Sequence, residues 1–481
     1  MKKTVLFLFL IISAAAAVLP ACGKTAENDE TGRESQAGIP EEYITVPAGV
    51  SAEMLDAEYW IPKAASGSGG SGEVIMTAEE ISAINSDYGC PVTAPDGSSL
   101  SLDEIGDELD GAFAAGLIKS VKIPKKPEAY FLGDEPTDRG YWEDLYELKD
   151  VDSIPEVINV RFGFSVQWST LRSWPTRDRL VKNGDLMFDE MISSDFRPFE
   201  PLAVIHESAD QNWYYCIMAG CGGWIEKECV ALCEDRDEWI NRQQPQDILV
   251  VTGDMITLSE DPYDDAISGI SLPMGTKLEL VRPEDAPERI NGRTGYGCFT
   301  VKIPVRDEDG SVTDRFAYIP VSEDVNAGFP DLTREAVIRQ AFRYIGNVYG
   351  WGGDLHSVDC SGLVRSVFSC FGLRFPRTAA AQEQMPGFEH TDLTGKTDDE
   401  KAEVLRKAPA GSLLFFNGHV MIWLGEESGD LYVISSASMF GRDENGADEV
   451  NTVTVNSLKS TYRPDGTSWI SNLASILIIG S

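Results

Sequence analysis

Basic side chains and long apolar runs are both scarce in this sequence. Forty Lys and Arg stand against 78 Asp and Glu, a formal net charge of −38. Phosphate binding needs clustered cations, and none are clustered here, so nucleic acid is excluded as a partner. A solvated acidic surface is the plain reading of that excess. After residue 22, no segment stays apolar for the about 20 residues that a membrane-spanning helix needs. The acidic clusters at 260–265 and 307–310 lack the ligand spacing of a calcium loop and read as turns.

Cysteine is present, nine residues in all, but in no metal-binding pattern. Cys216, Cys221, Cys229 and Cys233 are separated by four, seven and three intervening residues, with no histidine among them, unlike a zinc ribbon. Unpaired structural thiols are favoured over one disulfide, and a disulfide over a metal site.

The first 22 residues read as an export signal. Lys2 and Lys3 precede an apolar run from Val5 to Val18, then Leu19-Pro20-Ala21-Cys22. A cysteine just after the cleavage box resembles a bacterial lipoprotein signal, in which Cys22 becomes the lipidated N-terminus. Residues 23–40 are polar and read as a flexible tether. The expected location is therefore extracytoplasmic, held to a membrane by an N-terminal lipid anchor.

The remaining chain is too long for one core, so roughly three or four domains are expected. Residues 41–155 show few periodic segments. Thr77-Ala78-Glu79-Glu80 reads as a capped helix start, and residues 100–117 as an acidic helix, giving a mostly helical or irregular bracing domain. Residues 156–238 change to short strands: Leu202 to His206 and Trp213 to Ile217 flank a turn at 209–212, and Gly222-Gly223-Trp224-Ile225 follows. This order resembles bacterial SH3 domains, and 246–325 repeats the texture as a second small all-β barrel. His206 reads as a packed residue. Trp168, Arg172 and Trp174 either line a cleft or pack.

The last unit, 330–481, carries the chemistry. Thr333 can cap a helix with Val337, Ile338 and Ala341 on its apolar face. YGWGG at 349–353 then leads to Asp359-Cys360-Ser361-Gly362, where Leu363, Val364, Val367 and Phe368 recur at helical spacing. A thiol at the first turn of a buried helix meets unpaired N–H groups and the positive end of the dipole, which favour a thiolate. Leu413 to Phe416 and His419 to Leu424 read as strands around Asn417-Gly418, and 431–435 and 475–479 as two more, an α+β domain.

YGWGG, DCSGLV, PRT followed by Gln382, LLFF and GHVMIWLG resemble, in that order, the NlpC/P60 cysteine peptidases. The resemblance implies a papain-like fold, preceded by an N-terminal stabilising domain and two SH3 barrels. It implies cleavage of peptidoglycan stem peptides between γ-D-glutamate and the diamino acid, with a preference for a free N-terminal L-alanine. Cys360 takes the nucleophile position and His419 the base position, while His356 and His390 fall in loops expected to face solvent. At the third position, where the family has His, Asn or Gln, this chain has Ser435, which holds an imidazole less firmly. Tyr349 stands where a hydroxyl can assist the oxyanion, Asp359 and Ser361 where the substrate amine binds, and Thr378 beside them. The resemblance also implies that the first barrel closes the pocket. No metal or other cofactor is called for. Two alternatives stay open: a catalytically weak lipoprotein that binds the wall, and a Cys-His amidase or acyltransferase.

Overall fold

The computed structural model describes residues 43–64, 70–443 and 446–480. The signal segment, Cys22 and the tether lie outside the described residues. Among the described residues no helix is long and apolar enough to cross a membrane.

Among the described residues, those of 41–155 share their cores with the later units. Trp60, Ile61, Met76 and Ile81 are buried in the core that contains Cys360, while Val92, Leu102, Ala114 and Ile118 join the core of the first barrel. The expected capping box at Thr77 is present and starts helix Ala78–Tyr88. The expected helix over 100–117 is shorter: it runs Gly111–Ser120, after a strand at Glu108–Asp110. Asp110 sets that start by accepting from Ala112 N at 2.8 Å.

The first barrel is a seven-stranded antiparallel sheet, with the 201–207 and 213–218 hairpin paired from Ala203 with Ile217. The second unit is a five-stranded sheet with its own core of Leu249, Leu278, Val301 and Ile319. Between them runs the helix Arg236–Arg242.

The last unit has a six-stranded antiparallel sheet in the order 389–392, 475–478, 413–416, 419–427, 430–443, 446–457. Both its faces are covered, which is why LLFF and VMIWL are continuously apolar rather than alternating. Leu413, Phe415, Val420 and Ile422 face the Cys360 helix, while Leu414, Phe416, Met421 and Trp423 face a second layer containing Trp469. The turn that joins the two central strands uses Gly418 at φ 82°, as a tight hairpin requires.

Candidate active site

Helix Cys360–Ser369 starts where the sequence places it, because Asp359 caps it. The Asp359 carboxylate accepts from Gly362 N at 2.7 Å, Gly352 N at 3.1 Å and Ser361 Oγ at 3.0 Å. Arg377 completes this set, forming an ion pair with Asp359 and donating to Ser361 Oγ at 2.8 Å. Burial alone would raise the Asp359 carboxyl, but the guanidinium outweighs it and holds the group below the usual carboxylate range. Asp359 and Ser361, expected to receive a substrate amine, are thus already shared with an internal cation.

The Cys360 thiol is buried. Backbone N–H groups of Val420 and Ser361 face the sulfur and favour its ionised form. Burial, seconded by the Asp359 charge, prevails and pushes the thiol up to about 12. The thiolate expected from the helix start is therefore not the resting form: desolvation exceeds the dipole.

His419 begins its strand, directly before the Val420 N–H that meets the sulfur. Its ring packs against Phe416 and Trp469 at centroid distances of 5.1 and 5.3 Å. Burial in this aromatic setting, helped by the charge of Arg463, lowers the imidazole to about 4, so it is neutral near pH 7. Its Nε2 is buried without a hydrogen-bond partner among the described residues. Ser435 is also buried, but its hydroxyl donates to Asn456 Oδ1 at 3.4 Å. Ser436 points to the opposite face and donates to Val358 O at 2.7 Å. Both serine hydroxyls are engaged by these other acceptors, Ser435 and Ser436 lying on opposite faces of the strand.

Tyr349 is buried beside Asp359 and Cys360, and burial followed by those two charges pushes its hydroxyl up, so it remains a proton donor. Thr378 caps helix Ala379–Glu383, accepting from Ala381 N at 3.2 Å. The first barrel supplies an aromatic wall: Phe188 packs on Tyr349 and Trp351, and Trp168 stacks on His356 at 4.6 Å. His356 is therefore engaged rather than simply solvent-facing, and its φ of 51°, next to Leu355 at 59°, marks a strained loop. Arg172 and Trp174 pack instead, Arg172 on Asp189 at 3.1 Å and Trp174 on Trp142. His206 bonds Lys149 O at 2.9 Å, and His390 sits exposed on the edge strand 389–392 rather than in a loop. Cys216, Cys221, Cys229 and Cys233 are free thiols.

The glycines of YGWGG serve the barrel as well as the helix start. A Cβ on Gly353 would lie 2.2 Å from Asp195 Cβ, and one on Gly352 2.5 Å from Ile192 Cγ2, so only glycine admits the barrel this closely. Sequence reasoning assigned no role to Arg377, Trp469 or Phe188. For Arg377 a signal was present in the PRT motif itself; the other two are aromatic residues distant in sequence.

Residues 346–439 match the NlpC/P60 family, and residues 178–226 match the SH3 domain of SH3b1 type. The chain carries an NlpC/P60 domain. Dipeptidyl-peptidase 6 of Lysinibacillus sphaericus is 31% identical over 144 residues, covering 30% of this chain and 44% of that protein. The bifunctional muramidase/DL-endopeptidase CwlT of Bacillus subtilis (strain 168) is 30% identical over 141 residues, covering 27% and 34%. The chain thus spans less than half the length of these curated relatives. A solved NlpC/P60 endopeptidase from Photobacterium damselae subsp. piscicida aligns over 91% of this chain and 98% of its own, at TM-score 0.67 and 17% identity. That likeness extends the shared fold beyond the NlpC/P60 domain, which is α+β and papain-like, to the units before it.

Proposed function

We propose that this protein is a cell-wall peptidase, a cysteine endopeptidase that cuts peptidoglycan stem peptides between γ-D-glutamate and the diamino acid. The observation that carries the reading is the placement of the Cys360 sulfur at a helix start, against the N–H of the residue that follows His419. The activities named for the relatives, a dipeptidyl-peptidase and a DL-endopeptidase, support the substrate class.

In this mechanism the neutral imidazole of His419 takes the thiol proton as Cys360 Sγ bonds to the peptide carbonyl carbon. With the thiol held near 12 and the ring near 4, proton transfer accompanies attack instead of preceding it. Backbone N–H groups at the helix start, with the Tyr349 hydroxyl, stabilise the oxyanion. Collapse breaks the C–N bond, and His419 returns the proton to the leaving amine. Water, deprotonated by His419, then cleaves the thioester and restores the thiol.

A free N-terminal L-alanine is the preferred end, its ammonium received by Asp359 and Ser361 in competition with Arg377. Location outside the cytoplasm follows from this substrate, and anchoring through a lipidated Cys22 is part of the same proposal. A second reading, a wall-binding protein of weak activity, is favoured by the unpartnered Nε2 of His419.

Incubation with L-Ala-γ-D-Glu-diaminopimelate and with a sugar-bearing, cross-linked wall fragment separates the readings. Release of L-Ala-D-Glu supports the peptidase. No cleavage of either, with wall binding retained, supports the second reading, and cleavage only between sugar and peptide points to an amidase.

A further inference from the structure

Away from Cys360 and His419, a cavity of 1170 Å³ opens where all the folded units meet. Its walls include Asp103, Glu200 of the first barrel, Arg242 of the linking helix, Lys277 of the second barrel and Arg374 of the NlpC/P60 domain. The C-terminal half of the Cys360 helix reaches it through Arg365 and Ser369. The volume suffices for a ligand of several residues.

The charges lining this cavity are not all balanced. Arg197 pairs with Glu200 at 3.0 Å, Arg242 with Asp314 at 2.7 Å, and Lys302 with Glu279 at 2.8 Å. Lys277 makes no ion pair or side-chain hydrogen bond among the described residues. It follows the barrel alternation: Leu278 is buried in the barrel core, so Lys277 points out of it. Arg374 lies near enough to repel Lys277, and its one acid, Asp103, is 3.5 Å away on a half-exposed side chain. Lys277 without an acid partner among the described residues, beside Arg374 with only Asp103 at 3.5 Å, is unusual in a chain with 78 acidic and 40 basic residues. The two cations call for an anion.

The remaining lining narrows the anion's carrier. Asp235, Asp237, Glu238 and Glu279 would repel a ligand that is anionic throughout, such as a polyphosphate. Among these, Asp237 makes no ion pair among the described residues. Asn241, Gln243, Gln244 and Gln246 add side-chain amides suited to peptide groups. We propose that this cavity is a second binding site, for a short zwitterionic peptide whose free carboxylate is held by Lys277 and Arg374 and whose ammonium is held by Asp237. The site works independently of Cys360 chemistry.

Titration calorimetry on the full chain carrying Cys360→Ala, which prevents turnover, tests it with L-Ala-γ-D-Glu-diaminopimelate. The expected result is two binding events per chain. Lys277→Glu and Arg374→Glu should each weaken one event by at least tenfold and leave the other, while Lys277→Arg retains both. Thermal melting confirms that these surface variants fold. A single event untouched by Lys277→Glu overturns the proposal, as does displacement of the peptide by equimolar inorganic phosphate. Failure of the catalytic reading leaves a different trace: no turnover by the unsubstituted chain, with both binding events present.

Discussion

Beside Cys360 the Asp359 carboxylate and the sulfur have polar partners. Asp359 accepts from two backbone N–H groups, Ser361 and Arg377, and the sulfur faces two further N–H groups. Around His419 the neighbours are aromatic, and Nε2 has no partner among the described residues. The nucleophile is thus positioned by hydrogen bonds and charge, the base by packing. A triad with a polar third member shares the work of orientation between both sides; here Ser435 turns to Asn456, and the aromatic layer carries that work for His419.

The sharpest break in this contrast removes the base. His419→Ala should lower kcat by at least about 10³-fold, because nucleophile and base act as one unit. Stopped assays at matched protein concentration check it, and residual activity above a tenth of the parent's would count against His419 as base.

On the polar side, Arg377→Met leaves the Asp359 charge buried and uncompensated, at a cost of about 3–5 kcal/mol. The same change strengthens the negative field at Cys360 and should slow alkylation of its thiol by iodoacetamide. Denaturant unfolding and alkylation rates measure the two effects separately.

On the aromatic side, Trp469→Ala should cost about 3–5 kcal/mol of stability by opening a cavity. It also admits water to His419. The base must be neutral, so the parent's kcat/KM falls as pH drops through about 4. Hydration moves that acid limb upward, toward the ordinary imidazole value of about 6.5. Trp469→Phe should keep the limb near its original position, and an unmoved limb in Trp469→Ala would show that burial by this ring does not set the base.

The smallest effect is expected at Ser435. Ser435→Ala removes a long hydrogen bond to Asn456, should leave kcat unchanged, and should shift stability by less than about 1 kcal/mol. A large loss of kcat would restore the serine as an orienting group.

What the sequence disclosed was local. Asp359 as a cap, the Thr77 to Glu80 box, the turn at Gly418 and the apolar face of the Cys360 helix each depend on residues within four positions of one another. Missing from such patterns were contacts between distant segments: Arg377 with Asp359, Trp469 with His419, Phe188 with Tyr349. The state of the thiol was misjudged for the same reason. A helix start is visible in sequence, but the burial that overrides it is built by the sheet and by Asp359 held in place. Likewise, the apolar residues of 41–155 are sparse in pattern because, among the described residues, they join three cores shared with the later units.

The most direct test of the central claim is mass spectrometry of a tryptic digest made after acid quench during turnover of L-Ala-γ-D-Glu-diaminopimelate. A covalent adduct of the L-Ala-γ-D-Glu acyl group on the tryptic peptide containing Cys360, absent from Cys360→Ala, is the predicted result. Turnover without any adduct, or equal turnover by Cys360→Ala, would contradict it.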